Sequence, residues 1–128
     1  MHRVNWPLRK ILWAECQRLI RRYIWRMQIH PSARIEPTAY VDRTWPKGVH
    51  IEANCYVGEH AVFLTHDMVR GLYLDTVLGA GSVLGARCIV MPGLVIGEGC
   101  VIAPGAVVIK DMPARTHAIG NPAAITPL

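Results

Sequence analysis

Residues 76–97 read TVLGAGSVLGARCIVMPGLVIG, and the pattern within them renews itself every six positions. Leu78, Leu84, Val90 and Ile96 fall on one register, and Ile102 and Val108 continue it without a break. Extended backwards, the register meets Phe63, Val57 and Ile51, then Val41, Ile35 and Ile29. Four positions after the aliphatic residue the side chain is mostly small: Ala33, Ala39, Cys55, Ala61, Ser82, Cys88, Cys100 and Ala106. Gly often follows the aliphatic residue directly, as at Gly58, Gly79, Gly85 and Gly97. Ordinary antiparallel strands have period two and no use for Gly in their interiors. A six-residue period describes one short strand and one tight corner of a triangular prism. Both the aliphatic and the small residue then point inward, and Gly is expected to serve the corners. Three hexads close one turn, so residues eighteen apart stack: Leu84 on Ile102, Leu78 on Ile96, Val90 on Val108. Twelve hexads predict a parallel β-helix of about four coils over residues 29–112, whose stacked turns share one apolar column.

The register slips twice. A short insertion carries Trp45-Pro46-Lys47-Gly48. The second is longer: Phe63 to Leu78 spans fifteen positions where six are expected, so about nine residues form a protruding loop near 65–77. It opens with Thr65-His66-Asp67 and closes near Asp75. Loops that project from a regular scaffold often carry function. An imidazole free in water titrates at about pH 6.5 and can take a proton from a hydroxyl near neutrality. His66 is therefore the candidate base. His50 and His60 read as solvent-facing or interfacial. No Ser/His/Asp triad is legible and no Cys adjoins His66, which disfavours a covalent nucleophile.

The chain has 128 residues, 52% hydrophobic and only 18% charged, enough for one domain with some surface left for a partner. Its net charge of +5 is unevenly placed. Residues 1–28 hold seven Arg/Lys against one Glu, while residues 29–128 hold seven against eight acids. A nearly neutral body argues against nucleic-acid binding. Within 1–28, Leu8, Ile11, Leu12, Leu19, Ile20, Tyr23, Ile24 and Met27 recur at three- and four-residue steps. They predict an amphipathic helix over 7–28, started by Pro7. Its apolar stripe suits packing on the β-helix or on a neighbouring subunit. Its Arg and Trp content also suits peripheral contact with an anionic membrane. Residues 113–128, with Pro113, Pro122 and Pro127, read as an extended tail. No apolar run approaches 18 residues, no signal peptide opens the chain, and the four cysteines form no CxxC pair or zinc spacing. The expectation is a cytoplasmic protein, peripheral at the inner membrane face where the helix engages it, with no bound metal.

From Ile51 to Ile125 the chain resembles the hexapeptide-repeat acyltransferases. The branch it is nearest includes maltose, galactoside and capsular-sugar O-acetyltransferases. The resemblance rests on residues 76–97, on Val107-Val-Ile-Lys-Asp-Met-Pro113, and on Ile119-Gly-Asn-Pro-Ala123. It implies a left-handed β-helix and a homotrimer with active sites between subunits. Acetyl-CoA would be the co-substrate, and a saccharide or lipid-linked sugar the acceptor, in polysaccharide or glycolipid biosynthesis. By resemblance His66 is the general base, with Asp67 or Asp75 to orient it. The family's CoA-contacting positions fall on Ala86, Pro104, Ile109 and Lys110, and Arg115 is added for its nearness to Lys110. The chain departs from relatives at Val83, where many have Trp. It departs again at Ala103, Ala106 and Ile109, where Gly, Ser and Thr are usual. N-acetyl transfer, serine O-acetyl transfer and a non-catalytic or carbonic-anhydrase-like protein are the competing readings. The last would need an inter-subunit histidine set that is not visible.

Overall fold

The computed structural model describes residues 5–128; residues 1–4 of the expected N-terminal unit lie outside the described residues. The chain folds as a left-handed parallel β-helix with three faces. The first face stacks Gln28–Ile29, Val49–Ile51, Thr76–Leu78 and Val95–Ile96. The second stacks Arg34–Ile35, Tyr56–Val57, Val83–Leu84, Val101–Ile102 and Thr116–Ile119. The third stacks Tyr40–Val41, Val62–Phe63, Ile89–Val90 and Val107–Val108. Pairing runs at the eighteen-residue spacing: Leu84 opposite Ile102, Leu78 opposite Ile96, Val90 opposite Val108. At the insertions the spacing stretches. Ile29 pairs with Ile51, twenty-two positions on, and Phe63 with Val90, twenty-seven on. The extra four and nine residues leave the prism intact because both leave at the same edge, between the third and first faces.

Every register residue from Ile35 to Val108 is buried, with only Ile29 at the open end partly exposed. The small positions are filled inward by Ala39, Cys55, Ala61, Ser82, Cys88, Cys100 and Ala106. Burial pushes the Cys88 thiol up to about 12 and raises Cys55 as well, so neither offers a thiolate near neutrality.

The glycines divide their work differently from the expectation. Those following the aliphatic residue are not the ones with positive φ. Gly85 is needed because a Cβ there would stand 2.6 Å from the Pro104 nitrogen and 2.7 Å from the Ile102 oxygen of the next coil. The left-handed corner conformation falls two residues later, at Gly81, Gly99 and Gly105, and is also taken by Asn54, His60, Arg87 and Arg115.

The N-terminal helix is shorter than its apolar pattern. Helix α1 covers Leu8–Leu19, a wider π turn follows over Ile20–Ile24, and Arg26 at φ +58° ends the run. Met27 then turns into the core, because the open end of the prism needs an apolar cover. The helix rests on the first coil: Gln17 Nε2 donates to the Pro37 carbonyl, and Lys10 pairs with buried Glu36, which also accepts from the Tyr56 hydroxyl. Leu8, Leu12 and Trp13 of the helix and Tyr23 and Ile24 of the π turn remain exposed. The C-terminal residues, expected as an extended tail, are built onto the sheet. Thr116–Ile119 pairs parallel with Val101–Ile102, and Ala124–Pro127 folds back antiparallel to close the edge.

Candidate active site

Asp42, Leu64, Met91 and Ile109 climb one edge of the prism, each N–H of the first three bonding to the coil above. From this edge, at the second coil, the nine-residue insertion emerges as a β-hairpin. His66–Asp67 pairs antiparallel with Leu72–Tyr73. Its base is tightly tied. The Leu74 N–H donates to the Thr65 carbonyl at 2.8 Å, and the buried Thr76 hydroxyl donates to the Leu64 carbonyl at 2.7 Å. The buried Thr65 hydroxyl donates to the Trp45 carbonyl at 2.7 Å, which joins the two insertions.

His66 is half-buried. Its N–H donates to Asp42 Oδ2 at 3.0 Å, and its ring stacks on Tyr73 with centroids 4.6 Å apart. Tyr73 in turn lies 5.4 Å from the Trp45 ring. The imidazole borders a groove of about 360 Å³ shared with Tyr40, Asp42, Leu64, Met91 and Pro92.

Asp42 is the residue that sequence reasoning missed. It is 2% exposed, and its two oxygens accept from the N–H groups of Thr44, Thr65 and His66. Burial raises its pKa, but those backbone donors outweigh burial and hold it below the usual carboxylate range. A signal was present. Asp42 directly follows a register residue at a corner where the chain leaves the repeat, and its bond to Thr44 is the two-residue Asx turn such a position favours.

The two acids expected to orient His66 are engaged elsewhere. Asp67 accepts from the N–H groups of Val69 and Arg70 and pairs with the Arg70 guanidinium at 2.6 Å. The Arg70 N–H and then its guanidinium hold that carboxyl below its ordinary value. Neighbouring residues on a strand point apart, so Asp67 serves the hairpin tip and not the imidazole. Asp75 sits past the hairpin, exposed, with Oδ1 3.6 Å from His50 Nε2. What steadies His66 is the Tyr73 ring and the Asp42-held backbone.

The remaining candidates occupy three different edges. Ile109 and Lys110 share the His66 edge, two coils further along, and are exposed. Ala86 and Pro104 stack on the edge between the second and third faces, both exposed, with Ala86 accepting from the Gly105 N–H. Arg115 stands on the remaining edge, its N–H bonded to the Glu98 carbonyl. Its nearness to Lys110 is therefore sequential only, because the intervening Met112 occupies the first face beside Ile96 and turns the chain. Among the described residues no group of three or more His, Cys, Asp or Glu side chains could hold a metal, and no helix is long and apolar enough to cross a membrane.

Residues 75–110 match the family model described as bacterial transferase hexapeptide (six repeats). The chain is 38% identical over 104 residues to serine acetyltransferase 1, chloroplastic, of Arabidopsis thaliana. That alignment covers 77% of this chain but 32% of the relative, so the chain spans about a third of the curated protein it matches. Among solved structures, maltose O-acetyltransferase from Clostridium difficile 630 superposes with a TM-score of 0.63 at 20% identity, over 92% of this chain and 81% of that one. PerB from Caulobacter crescentus, solved with CoA and GDP-perosamine, gives a TM-score of 0.47 at 23% identity, over 91% and 66%. The eighteen-residue coils and the six-repeat match over the third and fourth of them identify residues 75–110 as hexapeptide repeats of the kind found in bacterial transferases.

Proposed function

We propose that the protein transfers an acetyl group from acetyl-CoA to a hydroxyl of a saccharide, with His66 as general base. The observation that carries this is the setting of His66. It is the imidazole on the hairpin, half-buried beside a groove, on the same edge as Ile109 and Lys110 of the Lys-Asp-Met-Pro motif. The base takes the acceptor hydroxyl proton as the oxygen attacks the thioester carbonyl, and the tetrahedral oxyanion is held by N–H or polar groups of the groove. The C–S bond then breaks, and the thiolate of CoA recovers the proton. No acyl-enzyme is involved, in keeping with thiols that are buried or remote. The separation of His66 from Ala86 and Pro104, on different edges of one prism, supports a homotrimer. There the Ala86 and Pro104 edge of one subunit would complete the His66 edge of its neighbour, with the nucleotide phosphates near Lys110.

A second acceptor, serine, is favoured by the 38% identity to a plant serine acetyltransferase. Thiol release from acetyl-CoA, measured against a panel of mono- and oligosaccharides and against serine, tests both. Acceptor-dependent thiol release with sugars is expected. Release with serine alone would move the acceptor to the amino acid, and none with any acceptor would sink acetyl transfer.

The exposed face of α1 is proposed to rest on an anionic membrane, where each basic residue near the surface adds roughly 1 kcal/mol. The structure changes which charges to test, because Arg18 is paired with Glu15. Among the described residues of the N-terminal segment, Arg9 on α1, Arg22 in the π turn and Arg26 after it are the exposed basic residues. Replacing these three with Gln should weaken co-sedimentation with anionic vesicles at low salt while light scattering still reports three chains per particle. Equal sedimentation before and after would refute the membrane contact, and a monomer at micromolar concentration would refute the shared site.

A further inference from the structure

Apart from the His66 groove, one cavity is lined by two arginines and by no acidic side chain. It holds about 340 Å³ between the end of the N-terminal helix and the first coil. Arg21 reaches it from the π turn, Arg43 from the corner after Val41, and Trp25 and Tyr40 form aromatic walls. The Arg43 guanidinium lies 5.9 Å from the ring centres of both Trp25 and Tyr40, over two π faces. Among the described residues neither arginine has a carboxylate within ion-pair distance, whereas Lys10, Arg18 and Arg70 all do. Asp42, beside Arg43 in sequence, is buried and has its oxygens taken by three backbone N–H groups and by the Tyr40 hydroxyl at 3.3 Å.

Two like charges on one aromatic-walled cleft repel each other. Arg21 registers this: burial, and then the Arg43 charge, bring its pKa down to about 10. A bound anion would relieve the repulsion and supply the oxygen acceptors that a guanidinium's planar fork is shaped for. Arg21 is carried on a widened helical turn, where the Trp25 N–H bonds to the Ile20 carbonyl at 3.0 Å. Turns of this kind are rare and frequently sit at functional sites.

The position of the cleft narrows the ligand. Tyr40 lines both this cavity and the His66 groove. Arg43 belongs to the first coil, His66 to the second, and Ala86, Pro104, Ile109 and Lys110 to the third and fourth. A molecule bridging the arginines and His66 therefore approaches from the side opposite the candidate CoA positions. We infer that Arg21 and Arg43 form an anion subsite for the acceptor, binding a phosphate or diphosphate group while the acceptor hydroxyl reaches His66. The word acceptor here rests on the acetyl-transfer reading; the anion site itself does not.

Inorganic pyrophosphate, titrated calorimetrically into the full chain, is the direct probe. Saturable binding to the wild type is expected, weakened about 10-fold or more in Arg43→Gln and in Arg21→Gln, the scale of losing a charged hydrogen-bond donor. Arg43 is exposed, so its variant carries the test if Arg21→Gln fails to fold. No saturable binding, or equal binding by the wild type and the folded variants, overturns the subsite. A second arm measures acetyl-CoA affinity with and without saturating pyrophosphate. Unchanged affinity supports an acceptor subsite. Displacement of acetyl-CoA would assign the arginines to the CoA phosphates and overturn it. Arginine-dependent pyrophosphate binding by a protein that binds no acetyl-CoA would overturn acetyl transfer and leave the anion site standing.

Discussion

His66→Ala is expected to lower acetyl transfer by about 100-fold or more, the scale of losing a general base, with acetyl-CoA binding nearly unchanged. The substitution removes the ring and little else of the site. The backbone N–H to Asp42 does not depend on the side chain, and the hairpin remains tied by Leu74 to Thr65 and by Thr76 to Leu64. Within one subunit the candidate CoA positions lie on later coils, away from the imidazole. Loss should therefore appear in kcat, with the acetyl-CoA KM moving little. Tyr73 loses its stacking partner, but it is already largely exposed, so the melting temperature should stay close to that of the wild type. Activity within a few-fold of wild type would mean that His66 is not the base. A matched fall in stability and activity would mean that the ring's role is structural.

The second large effect belongs to Asp42. Asp42→Ala leaves the N–H groups of Thr44, Thr65 and His66 without their acceptor, two of them in the buried base of the hairpin. Each buried unsatisfied donor costs about 1–3 kcal/mol, so a loss of roughly 3–5 kcal/mol is expected in chemical denaturation. Asp42→Asn should recover only part of it. An amide presents one acceptor oxygen, and its NH2 would face the donors of either Thr44 or of Thr65 and His66. The pH dependence has a definite sign. Asp42 has a depressed native pKa, so its contribution is full above the unfolded carboxylate value of about 3.9 and is lost as pH falls through the lower native value. The stability gap between wild type and Asp42→Ala should therefore be constant through neutrality and narrow only in acid. A gap that narrows between pH 6 and 8 would contradict this account. Because Asp42 acts on His66 through the backbone, it is a positioning residue. A displaced imidazole should cost roughly 10- to 100-fold in kcat, and at a pH where Asp42→Asn is folded that variant should sit between wild type and alanine. Unchanged kcat in a folded Asp42→Ala protein would show that the hairpin needs no such anchor.

The sequence by itself determined the prism. A six-residue period is a local, repeated statement, renewed in every hexad and written in the two residue types that one interior column accepts. Leu84 over Ile102 follows from counting, because each coil without an insertion has the same length. The insertions announced themselves by interrupting that count, so His66 was legible as a histidine in a protruding loop. Its partners were not. Asp67 and Asp75 flank it in the chain, yet side-chain direction on a two-residue strand and the reach of Arg70 and His50 send both carboxylates away. Asp42 stands twenty-four residues earlier, and only the stacking of one coil on the next carries its oxygens to the N–H of His66. The winding of the chain through Met112 separates Arg115 from Lys110, five residues apart in sequence but on different edges, and the packing of the N-terminal segment on the first coil puts Arg21 and Arg43 on one cleft. Periodicity specifies which residues point inward. Which outward residues meet depends on how far apart in the chain two edges lie once the coils are wound, and that distance is a property of the tertiary structure alone.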